Sequence, residues 1–192
     1  METIKIRKLN LRKEMLEKRR GLVPGFIKDA SQSICAKLTK LDKIKQAKYI
    51  AGYAAFDNEA NINACLNQCI KENKHVVLPC FENNTYTFCQ ISDWNKDLIK
   101  GKYGILEPKN KKNTLSIQQM SKLVDVWLVP GVAFDKNGRR LGRGMAIYDQ
   151  ILMQARGYKI GIAYEFQIVP TTLLPNEPHD QGMDIVITEK TS

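Results

Sequence analysis

VDVWLVPGVAFDKNGRRLGRGMAIYD, residues 124–149, passes through three regimes in succession. Residues 124–134 are the most apolar run in the chain and read as a buried strand. Asp135 then opens a loop with Gly138, Gly142 and Gly144 and four basic side chains, Lys136, Arg139, Arg140 and Arg143. An apolar stretch follows, predicted as a helix from about Gly144 to Arg156 with Asp149 in it. Strand, glycine-rich loop and helix make the repeating unit of an open parallel sheet. In such sheets ligands bind beyond the carboxyl ends of the strands, where helices begin.

The rest of the chain continues the pattern. Lys8 and Arg12 lie four apart, on one face of a first helix, with Leu9 and Leu16 on a neighbouring face. Gly21 to Gly25, with Pro24, break it, and Phe26, Ala30, Ile34, Leu38 and Leu41 recur at helical spacing to about Lys45. Strands are expected at 48–56, 75–81, 85–91, 159–166 and 183–189, helices at 58–74 and 116–124, and a loop or short extended piece at 101–108. Apolar strands alternating with helices imply an α/β fold: three layers, a mainly parallel central sheet and helices on both faces. The expected organisation is one domain over residues 1–192, the N-terminal helices of 1–46 packing on the α/β core.

With 192 residues, 43% of them hydrophobic and 26% charged, the chain suits a globular core. No apolar run approaches the ~18 residues of a membrane span, and the N-terminus lacks the apolar segment of a signal peptide, so a cytoplasmic protein is expected. The five cysteines form no CxxC and no zinc set, and are read as reduced structural thiols. Half of the net charge of +10 falls in residues 1–20, with eight Lys or Arg against three Glu. Such a face suits nucleic acid, an anionic membrane or a phosphorylated small molecule. Aromatic residues are not interleaved with these charges, which argues against single-stranded nucleic acid. Most of the lysines read as solvated surface.

The loop offers backbone N–H groups, the positive end of a helix dipole and forked guanidinium donors to an anion. It is neither a Walker A loop, having no GK[ST], nor GxGxxG, since Ile147 stands at the third position. Phosphate binding is favoured over a plain connection. Asp149 lies close enough to hold magnesium against bound phosphates, because magnesium takes one or two carboxylates plus substrate oxygens. Asp180, in the Pro-rich PNEPHDQGMD (175–184), is a second candidate, although by itself it reads as a turn former or strand-entry cap.

The stretch VPGVAFDKNGRRLGRGMAIYD resembles the signature of the 5-formyltetrahydrofolate cyclo-ligase family, also called 5,10-methenyltetrahydrofolate synthetases. The likeness continues in KLNLR (8–12), YAAFDNEANI (53–62), VVLP (76–79), GILEP (104–108) and VPTTLLPNEPHDQGMDIVITE (169–189), and so runs almost end to end. It implies an isomerase/CoA-transferase-like architecture and ATP-dependent closure of 5-formyltetrahydrofolate to 5,10-methenyltetrahydrofolate, with ADP and phosphate released. Position by position, it implies ATP contacts at Lys8, Leu9, Asn10, Leu11 and Arg12, and at Arg140, Leu141, Gly142, Arg143, Gly144, Met145, Ala146, Ile147 and Tyr148. Arg143 and Tyr148 would be catalytic. Ala54, Glu59, Tyr103 and residues 143–147 would line the folate site. Asp149 and Asp180 would hold Mg2+. The implied partners are ATP and the folate, with no nucleic acid or membrane, and a monomer is expected.

The loop departs from the family at two places. Ala146 stands for a glycine and Ile147 for the first of two tyrosines. The substitutions imply either slower cyclisation or a changed substrate. A same-fold binder or another phosphoryl-transfer enzyme is the competing reading, and a basic nucleic-acid module is a third.

Overall fold

The structure is a computed structural model and describes residues 3–82, 85–101, 104–111, 114–144, 147–175, 177 and 180–191, with the backbone alone at 82 and 147. Tyr103, Met145 and Ala146 lie outside the described residues, as does the side chain of Ile147.

A seven-stranded sheet organises the chain. Its parallel part runs β11 (Ile185–Ile187), β10 (Tyr158–Ile162), β7 (Val126–Pro130), β1 (Tyr49–Ala51) and β2 (His75–Glu82). β3 (Thr85–Ile91) pairs antiparallel with β2, and β6 (Thr114–Ser116) pairs antiparallel with β3. The expected α/β fold with a mainly parallel sheet is the one observed.

Alternation along the strands sends neighbours to opposite faces. Ile50, Val126, Leu128, Ile160 and Ile162 enter one core with α2 (Pro24–Leu38) and α4 (Asn63–Lys71), through Ile34, Leu38, Cys65 and Leu66. Ala51, Trp127 and Val129 enter the other with α6 (Ile117–Leu123) and α7 (Ile147–Gln154), through Met120, Ile151 and Leu152. Both faces being dry explains why these strands read as unbroken apolar runs. Leu11 and Met15 of α1 (Ile4–Arg20) build a third cluster with Val132, Ala133 and Leu141. Ala133 belongs to β8 (Ala133–Phe134) and Leu141 to β9 (Arg140–Leu141), a hairpin, so α1 is anchored to the ribbon that carries the glycine loop.

Several boundaries differ from expectation. The predicted strand 48–56 stops at Ala51, because residues 53–60 form a loop with Asp57 and Asn58 at φ 51° and 58°. The predicted helix 58–74 therefore shrinks to α4. The second helix ends at Leu38 and restarts as α3 (Asp42–Gln46). The run 124–134 is two strands broken at Pro130 and Gly131, since proline has no N–H for a ladder. Residues 104–108 yield β5 (Leu106–Pro108), paired with β4 (Leu98–Lys100), which follows the short helix α5 (Trp94–Asp97). The expected strand 159–166 ends at Ile162 and gives way to a 3-10 turn, Glu165–Gln167. On α1 the buried stripe is Lys8, Leu11, Met15 and Arg19, which leaves Leu9 exposed.

The expectation of five reduced thiols is corrected at one pair. Cys80 and Cys89 are disulfide-bonded across the β2–β3 hairpin, with Cα atoms 6.5 Å apart. In that register Cys89 faces Leu78 and Cys80 faces Thr87, so the two cysteines are diagonal neighbours on one face. Cys35, Cys65 and Cys69 are free and buried.

Candidate active site

Beyond Pro130 the chain turns into the β8–β9 hairpin. Its tip is fixed by Asp135, whose carboxylate accepts the N–H groups of Asn137 and Arg139 and the Arg139 Nε at 2.6 Å. Arg139 is thereby committed to the hairpin. Gly138, at φ 78°, is required there: a Cβ would meet the Met183 carbonyl oxygen. Past β9, Gly144 adopts φ 97°, a left-handed bend that turns the chain toward α7.

Four cations converge around this bend, and each has a defined contact. Arg140 donates to Asp149 Oδ1 at 2.6 Å, lies over the Tyr148 ring at 5.6 Å, and keeps a buried Nε that has no acceptor among the described residues. Arg12 reaches across from α1 and donates to the Gly142 carbonyl at 2.8 Å. Burial lowers the Arg12 pKa, and the negative charges of Asp149, Asp180 and Glu177 oppose this, which puts all three carboxylates within electrostatic reach of one guanidinium. Lys8 donates to Asp180 Oδ2 at 2.6 Å and to Glu177 Oε2 at 2.7 Å. Burial works against its ammonium, but those two carboxylates outweigh it and hold the Lys8 pKa above the usual lysine value.

Arg143 turns to the other side. It donates to Asp57 Oδ2 at 3.1 Å and Glu59 Oε1 at 3.4 Å, and its guanidinium lies 5.1 Å from the Phe56 ring. Both carboxylates belong to a tight turn in which Glu59 N–H donates to the Phe56 carbonyl and Phe56 N–H donates to Glu59 Oε2 at 3.2 Å. Desolvation pushes Glu59 up, against the pull of Arg19 and Arg143. Asp57 suffers desolvation too, but Arg143, Arg20 and Arg19 outweigh it and hold the carboxyl below its usual value. The Tyr148 phenol is pushed well up by burial and by Glu59, against Arg140, so it is a neutral hydrogen-bonding group at neutral pH.

The predicted residues fall into three groups. Lys8, Arg12, Arg140, Leu141, Gly142, Arg143, Gly144, Tyr148, Asp149 and Asp180 meet around the bend. Glu59 joins them through Arg143, while Ala54 lies half-buried in the preceding segment, packed against the core. Leu9 and Asn10 face solvent on α1, and Leu11 is buried in the cluster that docks that helix. Sequence reasoning missed Arg19, Asp57 and Glu177. A signal for Arg19 exists: 8, 12, 15 and 19 follow the helical period, so Arg19 shares the face of Lys8 and Arg12.

Fold and loop place the chain among open α/β proteins whose ligand end lies at the carboxyl ends of the strands. Comparison with known proteins narrows the class. The model of the 5-formyltetrahydrofolate cyclo-ligase family matches residues 4–189, and the chain belongs to that family. A 5-formyltetrahydrofolate cyclo-ligase from Haemophilus influenzae is 32% identical, with 92% of this chain and 95% of that protein covered. A probable 5-formyltetrahydrofolate cyclo-ligase from Schizosaccharomyces pombe is 28% identical, with 87% of each covered. Among solved structures, a 5,10-methenyltetrahydrofolate synthetase from Aquifex aeolicus superposes with a TM-score of 0.83 at 32% identity, covering 96% of this chain and 90% of that one. No described helix is long and apolar enough to cross a membrane.

Proposed function

We propose that the protein catalyses the ATP-dependent conversion of 5-formyltetrahydrofolate to 5,10-methenyltetrahydrofolate, ADP and phosphate, at the bend between β9 and α7. The observation that carries the reading is the convergence of Lys8, Arg12, Arg140 and Arg143 on a glycine bend at the strand ends, in a chain of this family.

The formyl group on N5 is an amide and a poor electrophile. Transfer of the γ-phosphoryl group of ATP to the formyl oxygen turns that oxygen into a leaving group. N10 then attacks the formyl carbon, the C–O bond breaks, phosphate departs and the N10 proton is lost. Nothing in this sequence needs a covalent enzyme intermediate, so the protein's work is positioning and charge neutralisation. Lys8, Arg12 and Arg140 hold the polyphosphate. Arg143 follows the transferring phosphoryl group, and Tyr148 donates as a neutral phenol. Glu59 accepts from N–H groups of the pterin.

Two carboxylates beside a phosphate cradle suit Mg2+, which prefers one or two protein oxygens and completes its shell from substrate and water. Asp149 and Asp180 would hold it, and it would supply neutralisation of charge on the phosphate oxygens. In the ligand-free chain those carboxylates are balanced by Arg140 and Lys8. These cations are placed to shift onto the phosphates as the ligand arrives.

The test is direct. Purified protein, 5-formyltetrahydrofolate and Mg-ATP should generate the near-ultraviolet absorbance of the methenyl product, with one ADP per turnover. Folate and ATP binding without product would overturn the reading in favour of a same-fold binder.

A further inference from the structure

Arg19 is the one arginine of α1 that is almost wholly buried, at 1% exposure. Its contacts are peculiar. One terminal nitrogen donates to the Gly131 carbonyl at 3.3 Å, where β7 ends. The other lies 3.6 Å from Asp57 Oδ2 and 3.6 Å from Glu59 Oε1, close enough for ion pairing but beyond a hydrogen bond. That nitrogen and the Nε are buried without a hydrogen-bond acceptor among the described residues. A buried guanidinium with two unsatisfied nitrogens is costly, and such a group asks for an explanation.

The explanation lies in who occupies the acceptors. Asp57 Oδ2 and Glu59 Oε1, the two atoms nearest Arg19, are the atoms that Arg143 engages at 3.1 Å and 3.4 Å. Two guanidinium groups thus face the same two oxygens, one from a packed helix and one from a glycine-flanked loop. Arg143 is 30% exposed on its side chain and sits between Gly142 and Gly144. It is the member free to leave. Arg19 is held by Gly131 and by its neighbours in α1 and cannot follow.

We infer that Arg19 is a positioning residue that takes over the Asp57–Glu59 pair when Arg143 swings to the phosphates. This rests on the cyclo-ligase reading of the site. With Arg19, Arg143 and Arg20 all present, three guanidinium groups face the two carboxylates, and Arg143 can leave without stripping the turn of positive charge. Without Arg19, departure of Arg143 would leave Glu59 with no cation at ion-pair distance among the described residues, in a largely covered turn, and it would draw a proton or recoil. Arg19, whose terminal nitrogen is already 3.6 Å from both, closes the gap to hydrogen-bond distance and satisfies that orphaned nitrogen in doing so. Asp57 keeps Arg20 on its Oδ1 at 3.3 Å as well. Among the described residues Glu59 then keeps Arg19 and the Phe56 N–H, so its Oε1 stays charged and becomes available to the pterin. The same oxygen therefore serves Arg143 before the folate binds and the folate afterwards. Release of the transition-state arginine is tied to occupation of the folate site.

The test uses the full chain with Arg19→Met, Arg19→Lys and Glu59→Gln. Arg19→Met should raise the KM for 5-formyltetrahydrofolate by about tenfold, with the KM for ATP changed by less than about twofold, the size expected for a lost charge-assisted partner. Arg19→Lys, which restores charge but not the fork, should recover part of that loss. Combined with Glu59→Gln, Arg19→Lys should add little further to the folate KM, because it acts through Glu59. Equal loss for both substrates, an unchanged folate KM, or additive effects with Glu59→Gln would overturn the proposal. Should Arg19→Met melt out, the Arg19→Lys and Glu59→Gln cycle decides alone. Calorimetric binding of 5-formyltetrahydrofolate to the same proteins reads Arg19 without turnover, so a wild-type chain that binds folate but forms no product would sink the activity and leave Arg19 still measurable.

Discussion

The two ends of the parallel sheet carry similar numbers of positive side chains and treat them in opposite ways. At the carboxyl end, Lys8, Arg140 and Arg143 each face a carboxylate within 3.1 Å. At the amino end, a groove of about 630 Å3 is lined by Lys43, Lys122, Arg156 and Lys159. Among the described residues none of those four has a carboxylate at ion-pair distance. The groove's own acids are spent on backbone: Asp125 accepts the N–H groups of Lys48 and Tyr49, and Asp184 accepts that of Lys159. Buried cations need partners, and exposed ones do not. Pairing, partial burial and a left-handed glycine set the carboxyl end apart, and under the proposed function an arriving anion displaces those partners.

The contrast predicts its largest effect at Arg143. Arg143→Ala should lower kcat by about a hundredfold, since it removes a donor that strengthens as charge moves. Stopped-flow formation of the methenyl product checks it, and activity within twofold of the parent would reduce Arg143 to a lid over Asp57. The variant should also lose about 1 kcal/mol in a urea melt, because it leaves Glu59 to Arg19 and Asp57 to Arg19 and Arg20.

The carboxylates come next. Asp149→Asn and Asp180→Asn should each raise the magnesium concentration for half-maximal activity by about tenfold. Asp180→Asn should in addition destabilise the protein by about 1–2 kcal/mol, because Lys8 is 7% exposed and among the described residues would keep Glu177 as its one carboxylate. A lower melting point with unchanged magnesium dependence would make Asp180 a structural anchor for α1 and nothing more.

How much of this could be read from the chain depended on whether a feature is local. The strand–loop–helix unit at 124–149 was legible because apolar runs, glycines and charges are all written in one stretch. Lys8 and Arg12 were legible because helical period places them together. Asp57 was not, since its role needs the 53–60 segment to leave the sheet early, and nothing in YAAFDNEANI says that β1 stops at Ala51. Arg19 was hidden by its company: it sits in the middle of the basic run Lys18, Arg19, Arg20, which reads as solvated surface, and the docking of α1 on Val132 and Leu141 buries it. The Cys80–Cys89 pair required the β2–β3 register, which a spacing of nine does not give.

A third prediction separates two acids of one turn. The folded Asp57 pKa lies below its ordinary value, so its contribution to stability is present above the unfolded pKa of about 3.8 and is lost as pH falls through the folded pKa. Glu59 is raised, so its ionisation works against folding: the native state gains stability as pH falls through its folded pKa toward about 4.5. Asp57→Asn should therefore cost about 1 kcal/mol at pH 7, a difference that vanishes in strong acid, whereas Glu59→Gln should be neutral or slightly stabilising at pH 7. Equal destabilisation by both in chemical melts across pH would contradict the assignment.

The smallest effect belongs to the amino-end groove. Lys122→Ala with Arg156→Ala takes the net charge from +10 to +8, yet should leave the KM for ATP within about twofold at physiological ionic strength, where the screening length is about 8 Å. β7 alone, five residues from Val126 to Pro130, separates the two ends by roughly 15 Å. Two screening lengths reduce the field of an exposed lysine to little, while Lys8 and Arg140 act at contact. Near 10 mM salt the screening length grows to about 30 Å, and the same variant should then bind ATP more slowly, through loss of long-range steering. A several-fold rise in the ATP KM at physiological salt would show that the protein's overall positive charge, rather than its paired end, captures the nucleotide, and the contrast between the two ends would lose its meaning.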